Sequence, residues 1–545
     1  MKRINYWGLS LFSGLLLGFS WHSIGFPLLL FVAFVPLLFV ESRISFSTAR
    51  RKGASILGYA FITFVIFNAI AVRWLWGLEE SREFGYLGPV FANAFFMAVV
   101  FWSFYIVKKN IGNFWGYIYL PVVWISFEKL HMEWSLSFPW LNLGNGFAGY
   151  YQWVQWYEYT GVFGGTLWVW IVNLLIFFAI KTYISDKKLE SILKKMIVVV
   201  LLIVVPIAAS LWRYHQYESH GEEVKVSVLQ PNLNPYTQKF SISNDQMSSQ
   251  LVEMTHKYVP KDVDYVVTPE TSLINRGAVD LDHYQEDLHY QKIQQLASEY
   301  PHTQFVIGSI MSKLYATNDT IPSDANESEG QNYSVYNAAF QVGVNEPFSV
   351  YKKSKLVVGV ESSPFKSLSK LSLVKGLMLN LGGTSTTLGT QPERYVFLNH
   401  QNKFKPGVAI CYESIYGEFV TEYVKKGANL LFVITNDGWW GNTDGHVQHL
   451  NLSRLRAIEN RRYIARSANT GISCFITPKG DIINQLEYEK EGVLTEIIQT
   501  NEKLTPYTRY GDVIMRIALL LLGGIWAWLI ASAVLKKVKK KGKFN

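Results

Sequence analysis

The stretch Lys405-Pro406-Gly407-Val408-Ala409-Ile410-Cys411-Tyr412-Glu413-Ser414 holds the residue best placed to do covalent chemistry. Val408 to Ile410 form a short apolar run that reads as a buried strand, so Cys411 falls where strand gives way to turn and side chains leave the core. A thiol there is a candidate nucleophile, although free cysteine more often serves as a small buried hydrophobe. Two charged residues occupy similar positions. Glu270 follows the apolar run Tyr265-Val266-Val267 through Thr268 and Pro269, and Lys353 lies just beyond a strand read over 348–351, within the cluster Lys352-Lys353-Ser354-Lys355. Taken singly, each reads as a solvated surface charge. Together they are the parts that acyl transfer requires: a thiol, a base to take its proton, and a fixed cation for the oxyanion formed when sulfur attacks a carbonyl. The arrangement works if the three leave the same end of three neighbouring strands. A nearby ammonium would then lower the thiol pKa from its free value of about 8.5.

The elements that must position these residues are short β-branched runs alternating with amphipathic helices. Strands are expected over 224–230, 263–268, 304–310, 334–342, 348–351, 407–410, 429–435, 463–468 and 472–477, and helices over 245–258, 284–300, 418–425 and 447–457. The alternation predicts an α/β domain over residues 222–505. The polar stretch 317–332 reads as a solvent loop. Cys474, between apolar neighbours, reads as core, and the helix bearing Arg454 and Arg456 reads as structural. Two cysteines are too few for a disulfide framework, a Cys411–Cys474 bridge would consume the nucleophile, and no Cys/His spacing predicts a metal site.

The rest of the chain belongs to a membrane. Of its residues 49% are apolar, and the excess collects in runs of bilayer-spanning length over 6–20, 24–40, 56–72, 86–107, 114–127, 161–180 and 196–212, with an eighth over 514–535. A domain of seven spans over 1–215, the polar domain, a closing span and a basic tail over 536–545 follow. No cleavage site succeeds the first run, which reads as a retained span. Nineteen basic and three acidic residues sit on alternate connections and the tail, a net +16 on one side, and the overall +9 then leaves −7 for the remainder. The basic balance is thus a topology signal placing both termini in the cytoplasm and the polar domain on the opposite face, and it removes the support for a nucleic-acid partner. The connection 128–160, with Phe138-Pro139-Trp140-Leu141 and many further rings, reads as an interfacial aromatic belt or as the floor of a lipid-facing cavity. Residues 362–388 set Phe365, Leu368, Leu371, Leu373, Leu377, Met378 and Leu381 among Lys and Ser and reach Gly382-Gly383, a pattern for a gate or a surface amphipathic helix.

Five ordered pieces carry a family resemblance: Val267-Thr268-Pro269-Glu270, Tyr351-Lys352-Lys353, Ala409-Ile410-Cys411-Tyr412-Glu413, Thr435-Asn436-Asp437-Gly438-Trp439-Trp440-Gly441 and Ala468-Asn469-Thr470-Gly471-Ile472-Ser473. Over nearly all of 224–500 the chain resembles the nitrilase (carbon–nitrogen hydrolase) superfamily, which implies an αββα sandwich with a Glu-Lys-Cys triad. With its spans it resembles the apolipoprotein N-acyltransferase family throughout. That resemblance implies an inner-membrane enzyme, without cofactor and monomeric. It would move a fatty acyl chain from a phospholipid to the N-terminal amine of a diacylglyceryl apolipoprotein, with Glu270 as general base, Lys353 as oxyanion donor and Cys411 as nucleophile. Glu361, Tyr412, Glu413 and Trp439 match supporting or substrate positions. The chain departs from the family at Val358-Gly359-Val360, where Pro-Phe-Gly is usual, and at Phe240, where a tryptophan is expected. The rival readings are a membrane-tethered amidase or nitrile hydrolase, whose thioester water resolves, and a non-catalytic lipid-binding scaffold.

Overall fold

The computed structural model describes residues 5–21, 23, 25–79, 82–239, 241–273, 279–362, 387–398 and 403–541. Phe240, the proposed gate residues from Phe365 to Gly383, and Lys543 lie outside the described residues. The chain forms two compact units: Met1–Arg73, Tyr86–Arg213 and Asp512–Asn545 make one, and Trp74–Gly85 with Tyr214–Gly511 make the other.

The first unit is a helical membrane bundle. Among the described residues six helices are long and apolar enough to cross a bilayer: Pro27–Phe46, Lys52–Ala71, Arg82–Ile111, Val162–Asp186, Leu189–Gln216 and Val513–Leu535. The apolar helix Tyr6–Gly18 and the 21-residue helix Asn113–Glu133 complete a set of about eight. Backbone groups freed where a helix breaks find side-chain partners, as they must where water is absent. The second helix breaks at Phe34 ahead of Pro36, and there the Asn173 amide accepts from Phe34 N (2.9 Å) and donates to Leu30 O (2.7 Å). Lys108 and Glu41, both expected on cytoplasmic connections, are buried as an ion pair. The aromatic connection is largely taken into this unit as 3₁₀ turns, Pro139–Leu141 and Leu143–Val154, with Trp140 and Phe147 buried. Its turn is tied by Glu128, which accepts from Leu143 N (2.8 Å) and Thr166 Oγ1 (2.8 Å).

The second unit is a sandwich of two sheets. The larger runs β13-β1-β2-β4-β6-β5, with β3 on β4 and β7 on β6, and the smaller runs β12-β11-β10-β9-β8. Its strands are β1 (Glu223–Gln230), β2 (Tyr265–Val267), β3 (Val279–Asp280), β4 (Gln304–Leu314), β5 (Asn326–Ser328), β6 (Gln331–Val342), β7 (Ser349–Lys352), β8 (Pro406–Ile410), β9 (Leu430–Thr435), β10 (Ile464–Ala468), β11 (Ser473–Ile476), β12 (Ile482–Leu486) and β13 (Gly492–Gln499). The sheets meet where β1 faces β10 and β11. Helices Asn244–Tyr258 and Leu288–Ser298 cover the larger sheet, burying Leu251, Met254, Ile293 and Leu296 against Val266, Phe305, Ile307 and Phe340. Helices Gly417–Lys425 and Asp444–Asn460 accompany the smaller, which gives the four-layer αββα order. Start signals are local: Ser243 and Gln246 close a capping box, and Asp287 accepts from His289 N and Tyr290 N.

The structure departs from expectation at the edges. Residues 317–332, expected as a solvent loop, contain β5, an exposed hairpin strand on β6 whose polar residues suit a ribbon with little to bury. Strands β12 and β13 were not anticipated, because Asn484 and Gln485 in the first and Thr495 and Glu496 in the second interrupt the apolar signal, although β13 pairs with β1 along its whole length. The segment Trp74–Gly85 belongs to this unit despite its distance in sequence. The Trp74 ring lies edge-on to Trp440 (4.7 Å), Glu79 N meets the Tyr236 hydroxyl, and a Cβ on Gly77 would come within 2.2 Å of Trp440 O.

One close approach fixes the turn after β2. A Cβ on Gly308 of β4 would lie 2.2 Å from Pro269 O and 2.9 Å from Glu270 Cα, while Gly308 O accepts from Ser272 N and Leu273 N. Neither neighbour is a yielding side-chain tip, so Gly308→Ala must push the turn outward at about 1–3 kcal/mol. The unfolding midpoint of the purified protein should fall by several degrees, and an unchanged midpoint would show that the turn gives freely.

Candidate active site

Strand β8 is buried throughout, and Cys411 follows it as the first residue of the 3₁₀ turn Cys411–Ile415. Its φ of +51° is left-handed, a costly conformation for a residue with a side chain. Contacts on both sides hold it there. The Cys411 carbonyl accepts from Ser414 Oγ (2.8 Å) and faces His449 Nε2 (3.1 Å), and the amide of Ile410 donates to the Glu413 carboxylate (2.8 Å). Behind the turn, Asp437 accepts from Arg466 Nη2 (2.6 Å) and Thr435 Oγ1 (2.9 Å) and faces His449 Nδ1 (2.9 Å), all four being buried.

Glu270 and Lys353 come from the larger sheet. Lys353, only 1% exposed, donates from Nζ to Glu270 Oε1 (2.9 Å) and to Glu361 Oε1 (3.0 Å). Asn337, inside β6, bridges the same two carboxylates from its side-chain nitrogen, at 2.7 Å and 2.9 Å, and its main-chain carbonyl accepts from Lys353 N. The second oxygen of Glu270 accepts from Asn436 N (3.1 Å), and that of Glu361 from Val357 N (2.8 Å). Glu270 and Lys353 are in contact and both act electrostatically on Cys411, but the three do not come from three neighbouring strands. Two leave one sheet at β2 and β7, with β4 and β6 between, and the third leaves the facing sheet. A sandwich brings strand ends together across its layers as well as along them.

The electrostatics differ from expectation at the thiol. Burial would by itself raise the Glu270 carboxyl, but the Lys353 ammonium, its hydrogen bond and that of Asn337 outweigh it and hold the group below the ordinary carboxylate range. Burial would lower Lys353, yet Glu270 and Glu361 raise it well above the usual lysine value. Cys411 is pushed up, first by burial and then by the Glu270 charge, and Lys353 offsets only part of this. The expected lowering of the thiol pKa is thus overturned, because desolvation exceeds what one ammonium shared with two carboxylates can return. The resting site holds a thiol, an ionised carboxylate and an ammonium. Cys474, on β11, is free and buried and is pushed up to about 12 by burial.

The remaining expected residues divide between clamp and rim. Glu413 is fully buried and accepts from Tyr351 Oη (2.7 Å), Ser354 N (2.6 Å) and Ile410 N, so one carboxylate ties the lysine-bearing segment to the cysteine-bearing strand. Tyr412 is buried edge-on to Tyr416. Trp439 is half-buried, packs edge-on to Tyr236 and accepts that hydroxyl on its carbonyl (2.7 Å). Val358, Gly359 and Val360 form the turn before Glu361, whose amide donates to Val357 O. Sequence reasoning did not single out Asn337, Lys239, His449, Asp437 or Arg466. Asp437 lay within a quoted piece, and Asn337 was one of several polar residues of its strand, with Ser334 and Gln341, and nothing local set it apart.

Comparison with known proteins matches residues 225–503 to the carbon–nitrogen hydrolase family. The chain belongs to that family. Residues 13–175 match the apolipoprotein N-acyltransferase N-terminal domain. Curated relatives span the whole chain: the apolipoprotein N-acyltransferase of Chlorobaculum tepidum is 26% identical over 94% of this chain and 95% of its own length. That of Geobacter metallireducens is 27% identical over 93% and 91%. With both domains matched, this member of the carbon–nitrogen hydrolases is an acyltransferase carried on a membrane bundle.

The field at Cys411 is open to a direct test. In a Cys474→Ala background, alkylation of Cys411 by iodoacetamide should remain slow and show no thiolate step between about pH 7 and 10, where a free thiol of pKa about 8.5 would ionise. Lys353→Met should slow it further, since the ammonium is the group that opposes the rise. A step near pH 8 in the wild type would contradict this electrostatic account.

Proposed function

We propose that the chain acylates lipoproteins, transferring a fatty acyl group from a phospholipid to the α-amino group of an N-terminal diacylglyceryl-cysteine through a thioester on Cys411. The observation that carries this reading is a buried ammonium held against the carboxylate of Glu270 beside a cysteine at a strained strand end, in a chain whose other domain is a membrane bundle. Sulfur attacks the ester carbonyl as Glu270 takes the thiol proton. Because the thiol is not ionised at rest, attack and proton transfer proceed together. Lys353 turns from Glu270 toward the new oxyanion, and the carboxylate, losing its cation, becomes the stronger base at the moment it is needed. Collapse expels the lysophospholipid alcohol with the proton from Glu270. The lipoprotein amine then attacks the thioester, Glu270 removes its proton and returns one to the departing sulfur, and the amide forms.

Glu361 and Asn337 keep Lys353 in place, Glu413 and Tyr412 hold the turn that carries Cys411, and Trp439 is a supporting residue packed on Tyr236. The basic connections support cytoplasmic termini with the catalytic domain, residues 222–505, on the outer side of the inner membrane, where both lipid-anchored substrates reside. One chain contains every group the reaction uses, in keeping with a monomer.

Incubation of the full-length protein in detergent with phospholipid, followed by intact-mass measurement, should show one acyl chain added to the wild type and none to Cys411→Ala. Lys353→Ala should slow acylation by roughly 10² to 10³. Transfer to a diacylglyceryl peptide amine should follow, whereas release of free fatty acid without amide would mark a hydrolase. A Cys411→Ala protein that still N-acylates the peptide excludes the thioester route.

A further inference from the structure

Lys239 stands behind the catalytic cluster and has no part in the mechanism above. It ends a turn that follows β1 and is closed on Asn234, whose side chain accepts from Tyr236 N (2.8 Å) and Thr237 N (3.1 Å) and whose carbonyl accepts from Gln238 N and Lys239 N. Lys239 is 1% exposed, and its Nζ donates to the main-chain carbonyl of Glu270 (2.8 Å). Among the described residues no carboxylate oxygen lies within ion-pair distance of it, yet Glu270 and Cys411 both act on it electrostatically. A buried cation with one carbonyl for a partner is expensive to keep unless the surrounding charge favours it. Here it does: Glu270, Glu361 and Lys353 together carry a net −1, and a second ammonium makes the site neutral.

We infer that Lys239 is a positioning residue of the acyl-transfer reaction, its ammonium fixing the backbone of Glu270 and favouring the negative charge that develops as Cys411 attacks. The inference rests on the thioester reading above. It also provides a pH control. Burial lowers the Lys239 pKa to about 7, with Glu270 and Cys411 opposing the fall. The groups facing it are Glu270, from the turn after β2, and Cys411, from the turn after β8. Lys353 and Glu361 lie beyond the Glu270 carboxylate, and Asp437 and His449 lie behind Cys411. Glu270 is displaced below and Cys411 above the neutral range, and Lys353 is held far above it. The ammonium form is complete below the Lys239 pKa and is lost as pH rises through it, so acyl-enzyme formation slows in the same window.

The test is the single-turnover rate of Cys411 acylation by phospholipid, without amine acceptor, in full-length detergent-solubilised protein. Wild type should fall about tenfold from pH 6 to pH 9, less than the roughly 10² to 10³ of a direct oxyanion donor. Lys239→Met should be flat, at the wild-type rate of pH 9, and Lys239→Arg, which cannot release its proton, should keep the faster rate throughout. A flat wild-type profile, or a Lys239→Met profile that still falls, overturns the inference and leaves the thioester reading standing. If no acyl-enzyme forms at any pH, the thioester reading fails, and iodoacetamide alkylation of Cys411 decides the electrostatic part: Lys239→Met must slow it about tenfold at pH 6 and not at pH 9. A variant with a collapsed unfolding midpoint is set aside, because the wild-type profile by itself can refute the claim.

Discussion

A single ammonium removed from water organises the catalytic unit. Burying one charge without a partner costs several kcal/mol even after the protein relaxes, so Lys353 is tolerable only if carboxylates are brought to it. Glu270 arrives from the end of β2, Glu361 from the turn after residue 357, and Asn337 crosses between them from the middle of β6. Each partner fixes a different segment. Removing either carboxylate loosens the hold on a buried ammonium, and removing Asn337 unties the two acids from each other, which costs more than the loss of a surface ion pair. The same constraint sets the chemistry, since a cation satisfied by two acids cannot also draw a proton from a buried thiol.

The nucleophile is controlled by geometry more than by acidity. Cys411 is held in a left-handed conformation by groups that touch its backbone and not its sulfur: Ser414 and His449 at the carbonyl, and Glu413 at the preceding amide. Glu413 reaches in the other direction to Ser354 and Tyr351, so the turn that carries sulfur and the strand that leads to the ammonium share one carboxylate. Orientation across two sheets is thereby settled by hydrogen bonds at buried strand ends.

Much of this was legible in the chain. Cys411, Glu270 and Lys353 stood out because each follows an apolar run, and a strand end is a local property that local sequence records. The spans were legible for the same reason, and 114–127 was the least distinct of them because it contains Pro121 and fades into a Trp-rich connection. What escaped depends on contacts distant in sequence. Asn337 gains meaning only when Glu270 and Glu361 stand on either side of it, and His449 and Arg466 only when Asp437 lies between them. The acidity of the thiol was misjudged because burial is a sum over neighbours that no short window contains. Strand β13 was passed over because Thr495 and Glu496 divide its apolar residues, Val493 and Leu494 from Ile497 and Ile498, and leave no alternation to read.

The catalytic unit is discontinuous, and this has a bearing on biogenesis. Trp74 and Gly77, which rest on Trp440, are translated well over a hundred residues before the β-sandwich begins at β1. That short piece must stay available until the later part emerges, so completion of the fold is a post-insertion event coupled to an early loop of the bundle. A fragment cut at Tyr214 would emerge with a bare indole at Trp440 and be prone to self-association. This protein should resist being reduced to a free-standing hydrolase domain.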